Sequence, residues 1–148
     1  MSLQEEIKQS SFRNERQKGI INIVYTYNWV RNRLKEFIKP YGITMQQYNV
    51  LRILNGQTEA ISTAEIRERM LDNMSDASRI VDRLYKKNLV KRTQCPDDRR
   101  LVDVNISELG QKLLQQIDRK TAEMDGILKG LEENEIILLN ELLDKVRI

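Results

Sequence analysis

The chain has 148 residues, 40% of them apolar and 32% charged, with a formal net charge of +3. That length suits one domain with one core, and six Gly with two Pro leave few breaks, which favours a mainly helical fold. A single Cys excludes an internal disulfide, and with no His the usual zinc ligand sets are missing, so neither a metal nor a cofactor is expected.

The amino terminus, MSLQEEIKQS, has acids where a signal peptide would be basic and then apolar, and no segment approaches eighteen consecutive apolar residues. A cytoplasmic protein without membrane attachment is the expectation. One long helix is expected over residues 3–38, with Ile20, Ile23, Val24, Tyr27, Val30, Leu34, Phe37 and Ile38 at helical spacing. Pro40, Tyr41 and Gly42 end it, and Thr44 with Gln47 caps the next helix.

Residues 62–106 then hold two short helices, a tight joint and a basic hairpin. Ser62 and Glu65 form a capping box that opens a helix over 63–70, whose first amides, near Ser62 and Thr63, are a candidate phosphate site. The following helix starts near Ser75 and buries Ala77, Ile80, Val81 and Leu84, the set that recurs on one helical face. Its other stripe is Ser75, Ser78, Arg79, Asp82, Arg83 and Lys86. Hydroxyls near the start and two arginines one turn apart suit a helix whose N-terminal end enters a DNA major groove. A solvated amphipathic helix would carry the same stripe, and the neighbouring elements favour the first reading. Asn88 stands where the chain leaves this helix in a left-handed conformation.

Two strands are expected over 89–95 and 101–106, the second alternating Val102, Val104 and Ile106 with Asp103 and Asn105. Between them, Pro96, Asp97, Asp98, Arg99 and Arg100 make a charged tip, and an arginine there can enter a narrow minor groove. Cys95, beside Lys91, Arg92 and Arg99, has a basic setting that can lower a thiol pKa, but it is read as incidental rather than redox-active.

Ser107 caps a long helix expected to run through Leu128, and a final helix starts near Glu133. Their apolar residues, from Leu109 to Val146, are denser than one narrow stripe requires. The two ends of the chain are therefore expected to pack against those of a second copy. Charge is divided likewise: residues 67–100 carry ten Lys or Arg against six acids, whereas 108–148 carry six against nine.

The segments ITMQQYNVLRIL (43–54), ISTAEIRERM (61–70), SDASRIVDRLYKKNLV (75–90) and DDRRLVDVNISELG (97–110) resemble, in order and spacing, the MarR family of winged helix-turn-helix transcriptional regulators. The resemblance implies a mainly α fold with a small β-hairpin wing and with N- and C-terminal dimerisation helices. Residues 1–40 and 107–148 would form the helical scaffold of a single 148-residue domain, and 43–106 the DNA-binding lobe. It places Ser75, Asp76, Ser78 and Arg79 nearest the bases. Arg100 would be the minor-groove residue of the wing, Asp98 its orienter and Arg99 a phosphate contact. Two-fold symmetry implies a pseudo-palindromic operator in double-stranded DNA. The family commonly holds small aromatic or phenolic effectors between scaffold and lobe, where Tyr25, Tyr27, Trp29, Tyr48 and Arg52 are candidates.

One departure stands out. Where the family's turn between the two DNA-reading helices has Gly and then an apolar residue, this chain has Leu71 and Asp72. Leu reaches a positive φ only at a cost, so the resemblance leaves this turn's geometry open.

The expected function is a homodimeric, sequence-specific regulator, a repressor released by an effector. A winged-helix module that binds protein in place of specific DNA is the alternative. An enzyme is not expected, since the chain has no His and no Gly-rich phosphate loop.

Overall fold

The computed structural model of the protein describes residues 1–94, 96–98 and 101–148. Cys95, Arg99 and Arg100, three residues of the expected wing, lie outside the described residues.

The expected helix over 3–38 is two helices, α1 (Leu3–Ile7) and α2 (Glu15–Ile38). Lys8 turns left-handed at φ 54°, and Asn14 caps α2 by accepting from the Gln17 amide at 2.9 Å. The intervening residues Gln9 to Asn14 are polar apart from Phe12 and include Ser10 and Ser11. Such side chains compete for backbone hydrogen bonds and favour caps over helix interiors. A 3₁₀ turn (Lys39–Tyr41) and Gly42 at φ 70° finish α2, as the Pro and Gly there suggest.

Helix α3 (Met45–Asn55) opens with the expected reciprocal cap between Thr44 and Gln47. Strand β1 (Ile61–Ser62), too short to show alternation in sequence, pairs antiparallel with β3 (Val102–Ile106), and β3 pairs with β2 (Val90–Gln94) in the sheet order β1-β3-β2. The register sets Val90 opposite Ile106 and Gln94 opposite Val102. Val104 and Ile106 face the core, as the alternation requires.

Helices α4 (Thr63–Arg69) and α5 (Ala77–Lys86) form the helix-turn-helix. Helix α5 begins after Asp76, whose side chain accepts from the Arg79 amide at 3.1 Å. At its other end Asn88 adopts φ 61°. The Leu89 amide bonds the Leu84 carbonyl and the Asn88 amide the Tyr85 carbonyl, the paired bonds of a Schellman stop.

Ser107 caps α6 (Glu108–Asp118) through the Gly110 amide, while its hydroxyl donates to the Asn88 carbonyl at 2.6 Å. The long helix expected through Leu128 breaks after Asp118 into α7 (Thr121–Asp125) and a 3₁₀ turn (Gly126–Leu128). The Thr121 hydroxyl donates to the Asp118 carbonyl at 3.1 Å, which gives that carbonyl a partner outside the helical ladder. Helix α8 (Glu133–Val146) starts where expected.

The core is centred on α3, α4, α5 and β3 and extends into α6: Val50, Leu51 and Leu54 of α3, Ile66 of α4, Ile80, Val81 and Leu84 of α5, Val104 of β3, and Leu114 and Ile117 of α6. The four apolar residues assigned to the inner face of α5 are all buried. Helix α8 buries none of its residues, and α2 buries only Ile38. Among the described residues no helix is long and apolar enough to cross a membrane.

Candidate nucleic-acid interface

Packing of Ala77, Ile80, Val81 and Leu84 inward fixes which face of α5 is left outside. Ser78, Arg79, Arg83 and Lys86 are exposed there, and Asp82 is half-buried. Asp82 accepts from Lys86 at 3.0 Å and from Arg92 of β2 at 3.4 Å, so two cations of the outer face are held in place by one carboxylate. The Lys86 hydrogen bond above all, with Arg92 adding, holds the Asp82 carboxyl below its ordinary pKa. The Arg92 guanidinium also lies 3.8 Å from the centre of the Tyr85 ring. Helix α5 and strand β2 are thus braced side chain to side chain at the root of the wing.

The turn between α4 and α5 solves the Leu71–Asp72 problem without any positive φ. Met70 leaves α4 extended, at φ −69° and ψ 143°, and the Leu71 amide donates to the Asn49 side chain of α3 at 3.0 Å. Asp72 then accepts from the Met74 amide at 3.1 Å and the Ser75 hydroxyl at 2.8 Å. Gln46 of α3 donates to that same hydroxyl at 3.0 Å. The Ser75 hydroxyl and the Met74 amide hold the Asp72 carboxyl below its ordinary pKa. Two side chains of α3 and one carboxylate therefore do what a glycine does in a tighter turn.

These bonds assign local roles to some candidate contacts. Asp76 is the N-cap of α5, and Ser75 is tied to Asp72 and Gln46. Ser62 caps α4 in the expected reciprocal pair with Glu65, with Thr63 partly buried behind it. Asp98 lies in the wing turn, its carbonyl accepting from the Leu101 amide at 3.0 Å; Arg99 and Arg100 lie outside the described residues.

Of the five candidate effector residues, Tyr48 and Arg52 meet each other, and Trp29 lines a separate cleft. The Glu6 carboxylate of α1 near Tyr25 holds its phenol above the ordinary pKa. Tyr27 is 60% exposed. Trp29, with the Arg33 guanidinium 4.0 Å from its ring centre, lines an open cleft of about 630 Å³ between α2 and α7, together with Phe37, Glu123 and Ile127. Tyr48 accepts from Arg52 at 3.0 Å, and Arg52 also pairs with Asp118 of α6. Burial opposes the Arg52 charge, but the Asp118 and Tyr48 partners outweigh it and raise its pKa. That cluster ties α3 to α6.

Gln46, Asn49 and Tyr85 had no role assigned from the sequence, and Arg92 only one beside Cys95, but all four are central here. Each acts across a fold contact, and none has a local sequence signature.

Residues 43–102 match the profile described as "MarR family". The chain is 29% identical over 123 residues to the HTH-type transcriptional repressor IacR of Pseudomonas putida, covering 82% of this chain and 70% of that one. It is 30% identical over 109 residues to the HTH-type transcriptional repressor MdtR of Bacillus subtilis (strain 168), covering 73% and 70%. A crystal structure of a mutant MarR from E. coli complexed with operator DNA superposes with a TM-score of 0.80 at 27% identity, over 93% of this chain and 99% of that one. The helix-turn-helix with its three-stranded wing sheet and these relatives agree: the chain belongs to the MarR family of winged-helix transcriptional regulators, and not to a family of enzymes.

Proposed function

We propose that this protein is a homodimeric repressor that places one α5 helix of each protomer in successive major grooves of a pseudo-palindromic operator. The observation that carries this reading is the outer face of α5: Ser78, Arg79 and Arg83 stand exposed on a helix whose inner face is wholly buried. Arginine in that position pairs bidentately with guanine or holds phosphate. Ser75 and Asp76 at the start of α5 and Lys86 at its end belong to the same face, and Ser62 and Thr63 at the start of α4 are assigned a phosphate contact. The family resemblance assigns Asp98, Arg99 and Arg100 to the contact with the neighbouring minor groove.

Residues 43–106 constitute the reading lobe, with 1–40 and 107–148 the scaffold. Support for a dimer comes from the scaffold's uncovered apolar side chains. Ile20, Val24 and Tyr27 on α2 and Ile137, Leu138, Leu142 and Val146 on α8 are each more than half exposed. Apolar surface on this scale marks an assembly face. Repression accords with the names of the two repressor relatives, and operator binding with the E. coli MarR complexed with operator DNA. A small aromatic effector that prefers one spacing of the two α5 helices would shift operator affinity by its differential binding. The Trp29 cleft is the candidate seat for such an effector.

Selection of genomic fragments, followed by mobility shift across a salt series with competitor DNA, tests the reading. A competitor-resistant, dimer-stoichiometric shift that weakens steeply with salt is expected. Binding no tighter than to competitor, with no enriched fragment, favours the protein-interaction alternative.

A further inference from the structure

Apart from the terminal Met1 and Ile148, the most exposed large apolar side chains among the described residues are Leu71 and Met74, at 92% and 89%. Both sit in the turn between α4 and α5. That turn is fixed in place: Asn49 holds the Leu71 amide, Asp72 holds the Met74 amide, and Arg67 donates to the Asn73 carbonyl at 3.4 Å. Two apolar side chains are therefore presented to solvent by an ordered backbone, immediately before the helix end that carries Ser78 and Arg79. The last turn of α4 adds Arg67 and Arg69 on one side and α5 adds Arg79 on the other, while Asp72 and Asp76 between them are engaged in turn and cap hydrogen bonds. An apolar group within a polyanion is the complement of such a surface, and the major groove has one: the 5-methyl group of thymine.

We infer that Leu71 and Met74 read thymine methyl groups in each half-site, alongside the polar contacts of α5. This rests on the DNA-binding function proposed above and adds to it a base preference. Hydroxyl and guanidinium groups tell guanine from adenine by hydrogen bonds. A leucine and a thioether distinguish thymine from cytosine, whose major-groove edge presents an amino donor and no methyl.

The test uses the full-length protein and the operator recovered by genomic selection. Thymines near the start of α5 are replaced by deoxyuridine, which removes the methyl and leaves base pairing intact. Parent protein is expected to bind the uracil operator about fourfold more weakly for each methyl lost, the value of one buried methyl or methylene. Leu71→Ala/Met74→Ala is expected to bind the thymine operator more weakly and to be indifferent to uracil, and Met74→Leu to restore part of the discrimination. Because both side chains are exposed, an unchanged circular dichroism melt is expected for each variant. A selected operator with no fixed thymine, or a double variant that keeps the parent's affinity and uracil sensitivity, overturns the inference alone. In that event the pair would be a docking point for a protein. Failure of the parent to select any site overturns the DNA reading and this inference together.

Discussion

The Arg92 guanidinium of β2 stacks over the Tyr85 ring of α5 with 3.8 Å between charge and ring centre. It reaches Asp82 at 3.4 Å in the same posture. Helix α5 and the wing are proposed to enter adjacent grooves, so the angle between them decides whether both can bind at once. This contact joins the two elements side chain to side chain, and the expectation is that it helps to hold that angle.

Arg92→Ala is accordingly expected to affect binding more than stability. An exposed cation-π contact contributes about 0.5–1 kcal/mol, and the Asp82 pair, more than a third exposed, adds little. The urea midpoint should move slightly, while operator affinity falls by a larger factor as the wing loses its reference to α5. Arg92→Lys should not restore the affinity, because an ammonium cannot stack as a planar guanidinium does. Paired urea melts and mobility shifts read the two effects separately; equal small losses in both would remove the bracing role.

Gly110 is expected to be intolerant of any side chain. A Cβ there would press into the Leu89 backbone carbonyl and come within 2.8 Å of the Ile106 side chain. The carbonyl cannot swing away, since it also accepts from the Ser107 amide at 3.0 Å. Gly110→Ala should destabilise by about 1–3 kcal/mol, the usual range for overpacking. Thermal melts followed by circular dichroism would record it, and an unchanged Tm would refute the close approach of α6 to the α5–β2 joint.

Asn88 occupies a left-handed position at φ 61°. Asn88→Gly should be neutral or slightly stabilising, whereas Asn88→Val should cost about 1–2 kcal/mol by forcing a β-branched residue into that conformation. The Ser107 bond goes to the backbone carbonyl of residue 88 and survives either change. Equal stability of the two variants in denaturant titration would contradict the assigned geometry.

Asp72 makes the inter-helix turn sensitive to acid. Hydrogen bonds from the Ser75 hydroxyl and Met74 amide lower its pKa in the folded chain from the ordinary 3.8. The bonds favour the ionised form, so their stabilisation is complete above that ordinary value and is lost as pH falls through the lower folded value. Amide resonances of Met74 and Ser75 should titrate in that acidic window and stay constant from there to neutrality. Asp72→Asn should abolish the titration and, by loosening the presentation of Leu71 and Met74, reduce operator affinity at neutral pH. Resonances that titrate with the pKa of a free carboxyl would show the bonds to be unimportant.

What the sequence determined by itself was local and periodic. The capping boxes at Thr44 and Ser62, the Ser107 cap, the left-handed Asn88, the buried face of α5 and the alternation of β3 each depend on residues within one or two turns or along one strand. The break at 119–120 was hidden because Ile117, Met124 and Ile127 keep helical spacing across it, and both that break and the one near residues 8–14 depend on single hydrogen bonds, of Thr121 and Asn14, that are individually weak signals. Only the tertiary structure decided how a turn containing Leu71 closes without glycine, since Gln46 and Asn49 reach it from a helix more than twenty residues away. It also decided that Arg92 belongs to Tyr85 and Asp82, and that the Tyr48–Arg52 pair lies apart from the cleft lined by Trp29. The aromatic character of the effector candidates is a property of composition, but convergence on one cavity depends on which faces of α2, α3 and α6 meet, and packing alone sets that.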